Sequence, residues 1–385
     1  MRKRRRVAIV GIGLEGISPV TPDVSYRELT YAAAVKAYTD AGVEPADIDS
    51  FIATSEDFME GYSIADEYCP DQIGGVLKPC QTIPDSIQSL AVGSMLILTG
   101  QFEIVAVQAM SKASNIVNLN KVANFALDPA LNRFFDINPH YVAALEMNRY
   151  MHETATSLEH CAEVVVKNKR NALINPQAGF AADITLDHVL EAEPICEPLG
   201  RLDIAPHADG AVVLVLASED AARNLDGVPV WIEGVGWASD APSLESRDWS
   251  NAPATTIAAN RAYEMAGIRT PGKEINFAEI DDEYSFKELQ HLEALGLCPR
   301  GAAKNFVEGG LTERGGALPV NVSGGKLGAG NLFDASGAYK LFEAALQLRG
   351  AAGARQVAGA EVGLVHAWRG VPSTSAAVAI LSNRN

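Results

Sequence analysis

The apolar positions of this chain fall into two kinds of pattern. Glu103–Met110 (EIVAVQAM) and Asp209–Ser218 (DGAVVLVLAS) are near-continuous apolar runs, as strands covered on both faces require. Between such runs lie amphipathic helical segments. KAYTDAGV (Lys36–Val43) and RAYEMAGI (Arg261–Ile268) each close a helix with glycine in the C-terminal cap position. Each is preceded by a strand ending in Gly-x-Gly, at Gly13 and Gly236, and followed by a linker and a second strand, from Asp47 and from Glu274.

The rest of each half repeats as well. Ser86–Lys112 predicts a helix and then a buried strand, and Ser336–Gly350 followed by Ala360–Gly370 has the same order. The helices end at Gly100 and Gly350, and the strands begin near Glu103 and Glu361. Each half therefore reads β-α-β-loop-α-β. This alternation predicts an α/β fold with a mixed, mostly parallel sheet covered on both faces. Two matching blocks in the same order indicate a duplication, with a period far too long for a solenoid. The first half takes residues 1–113 and 203–226, and the second takes 227–385. A polar, helix-rich insertion, 114–202, is expected to cover one end of the first half. Its opening stretch, Asn115–Tyr141, suits a lid or a dimer-contact loop.

Composition narrows the partners. The 385 residues are long enough for two or three domain-sized units, and 48% apolar against 21% charged is ordinary globular usage. No run approaches the ~20 apolar residues of a membrane span, so no membrane partner is expected. The start, MRKRRRVAIVGIG, runs from a basic cluster into Gly11 and Gly13; it reads as a solvated tail and a first strand, not a signal peptide. A net charge of −17 argues against nucleic acid, while leaving room for a local basic patch that takes coenzyme A. Cys69, Cys80, Cys161, Cys196 and Cys298 show no CxxC spacing, which excludes a zinc pattern or disulfide framework and suggests a reducing cytoplasm. No metal cluster is visible.

The ordered duplication, together with PVNVSGGKLGAGNLFDASG (Pro319–Gly337), ALQLRG (Ala345–Gly350), EALGLCPRG (Glu293–Gly301) and DIAPHADGAVVLVLASED (Asp203–Asp220), resembles the thiolase superfamily over essentially the whole chain. Within it the chain is most similar to the sterol-carrier-protein type and its archaeal and bacterial relatives. The resemblance implies a duplicated five-layered α-β-α-β-α fold, a homodimer, and a pocket where a helix start from each half meets two loops. It also implies an acyl-CoA substrate, coenzyme A as co-substrate and no permanently bound cofactor. The usual chemistry is reversible cleavage of a 3-oxoacyl-CoA through a cysteine acyl-enzyme. Such a thiolate needs a lowered pKa, which a helix N-terminus supplies. The oxyanions need fixed donors, and the acid/base needs a pKa near the working pH.

The resemblance carries over to four loops, each departing from the family pattern. In LKPCQTIPDSIQ the usual cysteine position falls near Ile83, and the nearby thiol is Cys80; either Cys80 is the nucleophile in a longer loop or the nucleophile is missing. The second loop reads Asp281-Asp282-Glu283-Tyr284. Glu283 stands where sterol-carrier-type thiolases carry an acid/base cysteine, so it is either a proton carrier of raised pKa or a solvated turn. Tyr284 replaces the usual phenylalanine, as core packing or as a phenol donor to an oxyanion. Asn331 takes the histidine position of the third loop; its amide donates but cannot accept a proton, and it equally suits a turn beside Gly330. His366, in VHAWRG, is the acid/base candidate, or else a core-edge histidine satisfied by backbone. His291 is expected to face a surface or partner. Ser323, Gly324 and Gly325, with Gly328 and Gly330, form a loop in which glycine lets backbone approach a ligand, making the first three candidate coenzyme A contacts. The loop is not a GxGxxG fingerprint, and NAD is not expected.

Three functions follow from the resemblance. The first is thiolytic cleavage or condensation, in which YSFKELQHLEALGL (Tyr284–Leu297) resembles a subgroup working with a small separate zinc-ribbon and oligonucleotide-fold subunit. The second is retro-aldol cleavage on the same fold, where tyrosines replace the cysteine; Tyr284 fits one such position and Asn331 does not fit the other. The third is a non-catalytic acyl-CoA-binding subunit.

Overall fold

The computed structural model describes residues 5–55, 70–116, 118–125, 127–241, 243–370 and 375–384. Its principal elements are β1 (Val7–Ser18), α1 (Tyr26–Ala41), β2 (Ser50–Thr54), β3 (Cys80–Ile83), α2 (Ser86–Leu98), β4 (Ile104–Lys112), α3 (Pro139–Thr154), α4 (Leu158–Ala172) and β5 (Asp209–Ser218). The second half follows with β6 (Val230–Ser239), α5 (Pro253–Ala266), β7 (Phe277–Glu279), α6 (Ser285–Ala294), α7 (Ser336–Leu348), β8 (Val362–Arg369) and β9 (Ser375–Ser382).

The strands run in the order β3-β2-β4-β5-β1-β6-β9-β8-β7. Read outward from the centre, β1-β5-β4-β2 on one side mirrors β6-β9-β8-β7 on the other. The pairing sense is conserved between the halves: β2 with β4, and β7 with β8, are parallel, while the strands nearer the centre pair antiparallel. Antiparallel pairings therefore outnumber parallel ones, unlike the mostly parallel sheet expected. The reason is that β5 and β9 return against β4 and β8 instead of crossing over in the same sense. The two sheets touch through β1 and β6 at Ala8↔Trp231 and Ile9↔Val230 only. Arg6 clips this seam, its guanidinium 4.1 Å over the Trp231 ring and 2.8 Å from Glu233. Residues 1–4 lie outside the described residues, so the basic tail goes undescribed beyond Arg5 and Arg6.

Three apolar clusters define five layers. Leu29, Ala33, Ala37 and Tyr38 of α1 cover one face of the first sheet. Leu90 and Ala91 of α2, and Leu341, Ala344 and Ala345 of α7, fill the space between the sheets. Ala258, Ala259 and Ala262 of α5, with Leu289 and Leu292 of α6, cover the far face of the second sheet. The same glycine device seats both outer helices. A Cβ on Gly11 or Gly13 would strike the carbonyl oxygens of Ala37 and Ala33, and a Cβ on Gly234 or Gly236 those of Ala262 and Ala258. Each Gly-x-Gly thus lets a helix backbone lie directly on its strand, in the same register in both halves.

The insertion packs differently from expectation. Met147 and Tyr150 of α3 and Cys161, Val164 and Val165 of α4 share the cluster of Phe286, Leu289 and Leu327. It therefore covers the second half, because its apolar stripes meet the stripe of α6. Among the described residues no helix is long and apolar enough to cross a membrane.

Candidate active site

Asp85 fixes the start of α2, its carboxylate accepting from the amides of Ile87 and Gln88 at 2.9 Å each. From the other half, α7 begins at Ser336. The two starts touch: the Ser86 hydroxyl donates to the Asp334 carbonyl, and a Cβ on Gly337 would lie 3.3 Å from the Ser86 Cβ and 3.2 Å from that of Ala367. Two helix amino ends, each carrying partial positive charge, therefore converge between the sheets.

The loop after β7 supplies the charge. Asp281 is fully buried and lies 2.8 Å from the Lys326 ammonium and 3.1 Å from that of Lys340. Burial alone would raise its pKa, but the two ammoniums hold it well below the usual carboxylate range. Asp282 caps a short helix, Gly325–Ala329, accepting from the Lys326 amide at 2.7 Å, and burial pushes its carboxyl up to about 6. Glu283 meets the Lys326 ammonium at 3.2 Å. The Tyr284 phenol pairs with His140 Nδ1 at 3.1 Å, and burial, then Glu283, raise its pKa well above the ordinary phenol value.

Asn331 completes the group. Its Oδ1 accepts from the Phe333 amide and the Ser336 hydroxyl, both at 3.1 Å, and no hydrogen bond from Nδ2 is formed among the described residues. Its backbone bridges to that of His207, whose ring stacks on Phe333 at 4.5 Å between centroids. His140, His207, Glu283, Tyr284, Lys326 and Asn331 thus form one neighbourhood beside the two helix starts. Glu283, Tyr284 and Asn331 are the members that the family resemblance marks. His140, His207 and Lys326 carry no such mark: His140 comes from the insertion, and His207 and Lys326 sit in strings that signal only the fold.

Three other expectations are corrected by geometry. Cys80 is exposed and opens β3, opposite Phe51. Its strand runs toward α2, so it sits roughly 16 Å from Asp85 at ~3.3 Å per residue. The structure does not bring it to a helix start, because α2 begins only after Pro84 and the Asp85 cap. Cys69 lies outside the described residues. His366 is fully buried, its Nδ1 accepting from the Asp281 amide at 3.3 Å and its Nε2 paired with Thr255 Oγ1 at 3.2 Å. Leu364 and Trp368 flank it on the outer face of β8, while Val365 and Ala367 face the central layer. Burial, then the adjacent His291, push its pKa far down, so His366 is a neutral core histidine. His291 is no surface residue: its ring is 4.5 Å from that of His366 and its Nδ1 donates to the Asp281 carbonyl.

The candidate coenzyme A contacts are committed to protein. The Ser323 hydroxyl donates to buried Glu279 at 2.6 Å. The hydrogens of Gly324 and Gly325 face Ala172 and the Asp282 carboxylate, where any Cβ would collide. These glycines admit α4 and a carboxylate.

Comparisons with known proteins agree with this architecture. Residues 236–383 match the family described as Thiolase C-terminal domain-like. The acetyl-CoA acetyltransferase of Methanothermobacter thermautotrophicus is 32% identical over 381 residues, covering 97% of this chain and 98% of that one. The benzoylsuccinyl-CoA thiolase subunit BbsB of Thauera aromatica is 33% identical over 208 residues, 54% of this chain and 53% of its own. The solved Ltp2-ChsH2(DUF35) aldolase superposes with a TM-score of 0.83 at 28% identity, over 99% of this chain and 98% of that one. A doubled α/β unit with two helix starts meeting beside a polar cluster is a thiolase-type fold. This chain belongs to the thiolase superfamily.

Proposed function

We propose that this chain makes or breaks the carbon–carbon bond beside the carbonyl of an acyl-CoA, by thiolase-type, CoA-dependent C-acyl transfer. The supporting observation is the convergence of the α2 and α7 starts with Asn331 and the Glu283–Tyr284 loop. Such a bond breaks to an enolate, which needs donors already in place. Asn331 Nδ2 is such a donor, and the Glu283–Tyr284 loop belongs to the same neighbourhood. The acetyltransferase and thiolase relatives favour the thiolytic reaction. The relative named as a subunit and the structural neighbour that is a two-protein complex favour a second subunit beside this one. A homodimeric core follows from the family resemblance alone, and a cytoplasmic setting from the scattered thiols alone. Coenzyme A enters as co-substrate.

One observation favours a second reading, retro-aldol cleavage of a 3-hydroxyacyl-CoA. The position at the start of α2 holds Asp85 and Ser86 rather than a thiol, and a retro-aldol needs no acyl-enzyme. The aldolase neighbour supports it. Mass spectrometry after incubation with a reactive acyl-CoA separates the two. A Cys80 adduct, with activity lost in Cys80→Ser, supports a cysteine acyl-enzyme. Cleavage of a 3-hydroxyacyl-CoA that survives Cys80→Ser supports the aldol. No carbon–carbon cleavage of either substrate class rejects the proposal.

The donor role of Asn331 has its own test. Asn331→Asp keeps Oδ1 for Phe333 and Ser336, removes the N–H donor and adds a carboxylate where the enolate would gather charge. Turnover is expected to fall by at least about 10²–10³, the cost of one oxyanion donor; Asn331→Ser, which adds no charge, should show a loss of that order as well. Unchanged turnover would place Asn331 in a structural turn.

A further inference from the structure

We infer that His207 is the proton-transfer group of this site. The inference rests on the acyl-CoA reading and adds to it the residue that moves the proton. His207 leads into β5 and is held on Phe333 by ring stacking, with its backbone bridged to Asn331. Its Nδ1 is buried and forms no hydrogen bond among the described residues. A buried, unpaired ring nitrogen carries a desolvation cost, and a substrate proton is a partner that would remove it.

The neighbouring titratable groups are already engaged. Lys326 is paired with Asp281 and Glu283, and Glu283 with Lys326. His140 has Nδ1 on the Tyr284 phenol. His366 is sealed between Asp281 and Thr255. The groups facing His207 are Glu283 from the loop after β7, His140 from α3 and Lys326 from the short helix. Burial lowers the imidazole pKa, Glu283 opposes this, and His140 and Lys326 add to it. The folded histidine is therefore neutral at pH 7 and able to accept a proton.

The proton follows one route in either reaction. In retro-aldol cleavage His207 takes the proton of the 3-hydroxyl. The C2–C3 bond breaks, its electron pair becomes the thioester enolate, and His207 returns the proton to C2. In thiolytic cleavage the proton starts on the attacking cysteine thiol, whose sulfur bonds to C3 as the C2–C3 bond breaks and C2 receives the proton; the coenzyme A sulfur then takes the acyl group, and its thiol proton returns to the cysteine. No oxidant or further reactant is required.

The partial reaction at C2 provides the test. The full chain is incubated with acetyl-CoA in D2O, and deuterium entering the methyl group is followed by mass spectrometry. The native chain is expected to exchange, with a rate that drops as pH falls through a group titrating below the ordinary histidine value of 6.5. His207→Gln is expected to lose at least about 10²-fold of the exchange, as removal of a general acid–base does, and to lose that acid limb. Imidazole added to His207→Ala should restore exchange, which a merely structural histidine would not allow. Exchange at the native rate in His207→Gln overturns the inference while leaving the acyl-CoA reading intact. A native chain that neither exchanges nor cleaves overturns both.

Discussion

Asp281→Ala should lower the free energy of unfolding by about 3–5 kcal/mol, the cost of breaking a buried ion pair from one side. Asp281 lies between Lys326 and Lys340, and all three are buried. Removing the carboxylate leaves two buried ammoniums beside each other, with Glu283 the remaining counter-charge of Lys326. It also strips the acceptor from the Glu283 amide at 3.2 Å and the Trp368 amide at 3.4 Å. Urea titration measures the loss. Adding Lys340→Met to Asp281→Ala should recover part of it, because one stranded charge is then gone. A loss under about 1 kcal/mol would show that Asp281 is not the counter-charge of this interior.

The second large effect is expected at the strand glycines. Gly13→Ala and Gly236→Ala each place a methyl group against a helix carbonyl oxygen, that of Ala33 or of Ala258. A backbone oxygen cannot swing aside as a side chain does, so the helix must lift off its sheet. Each substitution should cost about 3 kcal/mol, the upper end for overpacking. Gly267→Ala is the control. It has φ +75 and nothing within 4 Å of its added Cβ, so only the left-handed strain of about 1–2 kcal/mol remains. Thermal melts of the three variants should rank accordingly. A Gly13→Ala protein as stable as Gly267→Ala would mean α1 does not rest on β1 as described.

These glycines also show what the sequence reveals. Gly11–Gly13 and Gly234–Gly236 repeat because the contact repeats, so the duplication and the helix-on-strand layers can be read from spacing alone. The site is harder. His366 sits in VHAWRG, where Val365 to Trp368 are all buried on one face or the other; with no polar–apolar alternation among them, nothing in the string tells which face it takes. The family's cysteine position falls near Ile83, directly before Pro84 and the Asp85 cap that mark the start of α2, whereas Cys80 lies at the far end of β3. His140 and His207 lie 67 residues apart in sequence and meet Glu283 only through tertiary packing. No local spacing could have joined them. Glu283, Tyr284 and Asn331 were reachable because each sits on a loop that the resemblance marks.

The seam between the sheets, two residue pairs wide, has a further consequence. With so little backbone shared, the two copies of the duplicated unit are held chiefly by their inner helices, and those helices start at the polar cluster. A thioester lodged there would act as a staple across the joint. Its binding energy adds to the cohesion of the whole molecule, so occupancy and rigidity rise and fall together.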